Sequence, residues 1–88
     1  MLTIKQLEDH IFSFEMVRVI FRAPTVMLVH DYPFKNQISD TTNFSVFKDR
    51  LSNNYTGLPF FVVDGYGVEV TRLGRKMGDI RKSYLGEE

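Results

Sequence analysis

Two apolar runs joined by Asp64-Gly65 constrain this chain more than any other feature. Pro59-Phe60-Phe61-Val62-Val63 precedes the pair, and Val68-Glu69-Val70 follows it. β-forming residues on both sides of Asp-Gly specify a hairpin, because Asp and Gly accept positive φ at the central positions of a type I′ turn. With a two-residue loop, Val63 stands opposite Tyr66, Phe61 opposite Val68 and Pro59 opposite Val70. One face is then continuously apolar, and the other carries Glu69 and Thr71. A longer loop through Gly67, with four residues, changes the pairs and keeps the faces.

The rest of the chain divides by hydrophobic period. Thr3-Ile4-Lys5-Gln6 has the form of a capping box with Thr3 as N-cap. Ile4, Leu7, Ile11 and Phe14 recur at helical spacing, which predicts a helix over 4–14. From Met16 the pattern turns to alternation, with Val17, Val19 and Phe21 on one face and Arg18, Ile20 and Arg22 on the other. Ala23-Pro24 interrupts, since proline cannot donate to a ladder. Thr25 to Tyr32 reads as a second strand, folded back in a tight hairpin around Ala23-Pro24 or continuing one long bent strand. Residues 33–42 read as a loop. Phe44, Phe47 and Leu51 predict a second helix with Thr42 as N-cap and its end at Ser52-Asn53-Asn54. A third helix is expected from Arg72 to Tyr84, with Leu73, Met77, Ile80 and Tyr84 on its core face and Gly86 as its stop. Gly74 and Gly78 weaken that helix by about 1 kcal/mol each. Their spacing suits close backbone packing.

The order α-β-β-α-β-β-α predicts a single α+β domain spanning residues 1–88, with helices packed on a four-stranded, largely antiparallel sheet. A domain of this length buries about 60–65% of its extended-chain surface, so its stability is modest or shared with a partner. The chain holds eight Phe and four Tyr without Trp, a large apolar load for one small core. Phe60 and Phe61 fall on opposite strand faces, and Ile20, Met27 and Val29 give the sheet a partly apolar second side. Either the third helix covers that side or a second copy of the chain does.

Function classes narrow mainly by exclusion. The absence of Cys removes disulfides, thiolate metal sites and cysteine nucleophiles. His10 and His30 have no partner at a spacing that makes a catalytic or zinc site, and the carboxylates match no calcium loop. Gly65-Tyr66-Gly67 leads into a strand and lacks the third glycine of a dinucleotide fingerprint. Asn43-Phe44-Ser45 and Asn54-Tyr55-Thr56 match the glycosylation triplet, which is common by chance. No run approaches the roughly 20 apolar residues of a membrane helix. The chain therefore reads as a cytoplasmic, non-enzymatic domain with no catalytic residue, metal, cofactor or small-molecule substrate.

One segment hints at a partner. Eleven basic and eleven acidic residues cancel overall, yet Arg72, Arg75, Lys76, Arg81 and Lys82 face only Asp79 between positions 72 and 82. This cationic helix, with Tyr66 and Glu69 on the exposed side of the last hairpin, is the expected contact surface for a protein partner or a second copy. Nucleic acid is the alternative, its phosphates met by the same helix and by Arg18 and Arg22 on the first strand. Against it, Gly57-Leu58-Pro59-Phe60-Phe61-Val62 lacks the basic start and glycine pattern of an RNA-binding strand.

Overall fold

Thr3 and Gln6 cap each other as their spacing predicts. The Gln6 N–H donates to Thr3 Oγ1 at 3.2 Å, and the Thr3 N–H donates to Gln6 Oε1 at 3.0 Å. The computed structural model describes residues 1–86. A short strand β1 (Leu2–Thr3) leads through this cap into α1 (Ile4–Glu15), and then come β2 (Arg18–Phe21), β3 (Leu28–Val29), α2 (Phe44–Asn54), β4 (Phe60–Val63) and α3 (Met77–Ser83). The buried stripe of α1 is Ile4, Leu7, Ile11 and Glu15; Phe14 is only partly covered. The stripe ends on a carboxylate where a hydrophobe was expected.

The fold is α+β, but the four-stranded sheet is replaced by two antiparallel pairs, β1 with β3 and β2 with β4. No hairpin forms around Ala23-Pro24. The reason lies at the start of α1, whose first N–H groups have no partner within the helix. Ile4 N–H donates to Met27 O at 2.9 Å and Lys5 N–H to Thr25 O at 3.2 Å. A turn closed by Met27 N–H on Pro24 O (3.0 Å) carries the chain from β2 across to that site. β3 thus joins β1, and β2 is left to pair with β4 in the register Arg18↔Val63 to Phe21↔Phe60.

The last hairpin forms with a different turn. Val63 bridges Glu69, and Val70 N–H donates to Val62 O at 2.7 Å. Five residues separate Val63 from Glu69 where the sequence suggested two or four. An odd change of loop length exchanges the faces. Val62 and Val70 are therefore buried, whereas Tyr66 and Val68 are exposed. Asp64 accepts N–H bonds from Tyr66 (2.9 Å) and Val68 (3.1 Å), and Gly67 supplies the positive φ, +79°. Gly65 has another role: a Cβ there would lie 2.1 Å from Ser83 O.

α2 starts one residue later than expected, with Asn43 as N-cap, and buries Phe44, Phe47 and Leu51. α3 is only seven residues long. Residues 72–76, expected as its first turns, instead run beside the entry to α2. Phe44 N–H donates to Arg75 O (2.7 Å), Ser45 N–H to Leu73 O (3.1 Å) and Met77 N–H to Thr42 O (2.9 Å). These bonds satisfy the initial N–H groups of both helices and leave Leu73 exposed. Gly78 passes so close to Asp40 that a Cβ would meet its Cβ at 2.9 Å; Gly74 faces open space. Gly86 has the left-handed φ of a helix stop, +76°.

The core runs from α1 through Val19, Phe21, Val62, Phe47 and Leu51 to Met77 and Ile80. All eight Phe are buried or half-buried. Edge-on and tilted contacts such as Phe12–Tyr84, Phe21–Tyr55 and Phe44–Phe47 absorb the aromatic load within one chain.

Candidate interaction surfaces

Glu15, fully buried at the end of α1, is where Arg81 of the expected cationic surface turns inward. Its Oε2 accepts from Tyr32 Oη at 2.5 Å and Arg50 Nη1 at 2.9 Å, and its Oε1 from Ile38 N–H at 3.0 Å and Arg81 Nη2 at 3.4 Å. Arg81 also donates from Nε to Glu15 O (2.8 Å) and from Nη1 to Asp40 Oδ1 (2.6 Å). A buried carboxylate survives only when so fully satisfied. Burial and the Glu15 carboxylate push the Tyr32 hydroxyl above the ordinary phenol range. Arg50 lies 4.1 Å from the Phe34 ring centroid, which closes this clasp on its outer side.

Arg75 is likewise engaged, donating to Asp64 Oδ2 at 3.2 Å. Burial alone would raise the Asp64 carboxyl; the Val68 and Tyr66 N–H bonds and the Arg75 guanidinium outweigh it and hold the group below its usual value. Lys76 donates to Asn43 Oδ1 at 2.7 Å. Of the five expected cations, Arg72 and Lys82 alone are exposed with side chains that make no hydrogen bond or ion pair to a described residue. The helix flank that was to gather all five does not exist, because Arg72 and Arg75 precede α3 and Arg81 points into the clasp. Tyr66 and Glu69 are exposed at the hairpin, as expected.

Arg18 and Arg22 share the outer face of β2 with Ile20. Their guanidinium carbons stand 5.6 Å from the Phe12 centroid and 5.0 Å from the Phe61 centroid, and neither side chain pairs with a carboxylate among the described residues. Glu8, beside Arg18, accepts the Phe21 N–H at 2.8 Å. Below Arg18, the Tyr84 hydroxyl is wedged into the end of the β2–β4 ladder. It accepts the Arg18 N–H at 2.9 Å and donates to Val63 O. Burial pushes this hydroxyl above the ordinary phenol range.

A surface that sequence reasoning missed lies at the other pair of strands. Met1, Val26 and Leu28 are 87, 77 and 59% exposed, and Met27 is partly so. Met1, Met27 and Leu28 border a groove of about 520 Å³ whose far wall is residues 54–58, including Tyr55 and Leu58. His30 stacks on Tyr55 with ring centroids 4.7 Å apart, and Tyr55 Oη donates to His30 O. Burial, with Asp31 nearby, raises the Tyr55 hydroxyl out of the phenol range. The signal in the sequence was Val26-Met27-Leu28-Val29, four apolar residues without alternation just after a proline. A strand with one buried face needs only half of them.

Among the described residues, no group of three or more His, Asp or Glu could hold a metal ion, and no helix is long and apolar enough to cross a membrane. His10 pairs with Asp31 at 3.0 Å, and both side chains are exposed. Comparison of the chain with protein-family models, curated proteins and solved structures gives no match.

Proposed function

We propose that the chain is a small non-enzymatic protein-binding domain that associates with itself. The observation that carries this reading is the exposed apolar group Met1, Val26, Met27 and Leu28, three of which line a groove and none of which is covered by another described residue. Contiguous apolar exposure of this kind marks contact surfaces, whereas scattered surface hydrophobes do not. The cationic residues contribute a rim at most, since Arg75 and Arg81 are engaged inside the domain. Sedimentation velocity across a concentration series tests the reading. A dimer growing with concentration is expected, and a monomer at every concentration would remove the self-association.

The second reading is nucleic-acid binding, favoured by one observation: Arg18 and Arg22 stand over aromatic rings with no carboxylate partner among the described residues. Arginine and aromatic groups together suit single strands. Arg72 and Lys82 could add phosphate contacts. A labelled oligonucleotide at two salt concentrations separates the readings. Binding at low salt that weakens at high salt is expected from phosphate contacts, and no binding at low salt excludes them.

A further inference from the structure

We infer that self-association proceeds by backbone pairing between the outer edges of two β3 strands, antiparallel and centred on Leu28. This rests on the self-association proposed above and specifies its geometry. In the β1–β3 register Leu2 faces Val29 and Thr3 faces Leu28. Ile4 N–H bonds to Met27 O, and hydrogen-bonded and non-hydrogen-bonded pairs alternate along an antiparallel ladder. Thr3↔Leu28 is therefore a non-bonded pair. The Thr3 N–H agrees, being turned to Gln6 Oε1. The Leu28 N–H and C=O consequently point away from β1, and neither makes a hydrogen bond to another described residue. Two residues further along the same edge, the His30 carbonyl is already taken by Tyr55. The edge is open at Leu28 and closed beside it.

An open donor and acceptor on one strand-edge residue suit a strand as occupant, because a facing backbone residue returns both in the ladder geometry. A second β3 fits by its own symmetry. Leu28 would meet its counterpart through two reciprocal bonds, Met27 would face Val29, Val26 would face His30, and Thr25 would face Asp31. No like charges are opposed across this register, and its centre is aliphatic. The two-stranded sheet becomes a four-stranded one, β1-β3-β3-β1, across a two-fold axis. So short an edge with so small a patch falls at the low end of interface sizes, so the dimer is concentration-dependent and not obligate.

The chain contains no cysteine, which permits a clean test. In the inferred register the two copies of residue 28 form a bonded pair, with Cα atoms about 5.5 Å apart, within disulfide reach. The two copies of residue 26 are offset by four positions, roughly 13 Å along the strand, which is beyond it. Under mild oxidation Leu28→Cys should convert to a disulfide dimer, and Val26→Cys, at the more exposed of the two positions, should stay monomeric; circular dichroism checks that both variants fold. If the parent protein dimerises but Leu28→Cys fails to cross-link, or Val26→Cys cross-links as well, edge pairing is overturned while self-association stands. A parent that sediments as a monomer throughout overturns both.

Discussion

The two sheets of this domain meet the same difficulty, an exposed strand edge, in opposite ways. Around β2–β4 the backbone groups at the edges and ends find partners: Glu8 takes the Phe21 N–H, Tyr84 bridges Arg18 to Val63, and the returning hairpin supplies Val70 to Val62. Around β1–β3 the outer edge leaves the Leu28 backbone without a partner among the described residues, under an apolar surface. Charge is distributed to match. The closed side holds the Glu15 clasp and the Asp64–Arg75 pair, both turned inward. A cluster of cations in sequence is thus a poor guide to a cationic surface, because a buried carboxylate recruits guanidiniums from wherever the chain places them.

Breaking the closed side should cost the most. Glu15→Ala leaves Arg50 and Arg81 without their shared anion and is expected to lower stability by about 3–5 kcal/mol, read from urea denaturation. That is a large part of what an 88-residue domain has. Asp64→Ala removes the acceptor of two N–H bonds and a guanidinium, with an expected loss of about 2–3 kcal/mol. The parent should also show an acid step that this variant lacks. The Asp64 carboxyl is depressed in the folded state, so its contribution is present above the unfolded carboxyl value of about 4 and is lost as pH falls through the lower folded value. Stability measured against pH from 6 downward checks this.

Tyr84→Phe leaves the Arg18 N–H and Val63 carbonyl facing an apolar ring edge, for an expected loss of about 1–2 kcal/mol. The raised hydroxyls of Tyr32, Tyr55 and Tyr84 add an alkaline counterpart. Their contribution holds below the unfolded value of about 10 and fades as pH rises above it, because the unfolded chain releases those protons first. Spectrophotometric titration should follow unfolding and not precede it. The smallest effect belongs to the open side. Leu28→Lys should change monomer stability by no more than about 0.5 kcal/mol while abolishing the dimer seen by sedimentation. A loss as large as that of Asp64→Ala would mean that this edge holds the fold together and would erase the contrast between the sheets.

Local signals were legible in the sequence and long-range choices were not. The Thr3 capping box, the α1 and α2 core faces and the inward face of β2 follow from spacing alone. The partner of each strand does not, because β3 was claimed by the N–H groups that begin α1, a demand invisible in the alternation of residues 25–32. The turn at Asp64 was misjudged for a related reason. Asp-Gly favours a two-residue turn locally, yet Gly65 is required by the approach of Ser83, eighteen residues away. Glu15 was unreadable because its partners are scattered along the chain. The open edge at Leu28 could be found only once the pairing of β1 was known.

The clasp also bears on how fast the domain assembles and comes apart. Glu15 reaches partners 17, 23, 35 and 66 residues away along the chain. Each closure removes more chain entropy, and the last of them spans 66 residues of an 88-residue chain. An ion pair of that reach tends to form after the barrier has been crossed. Substituting Glu15 should therefore quicken unfolding far more than it slows refolding, so that the clasp sets the lifetime of the native state.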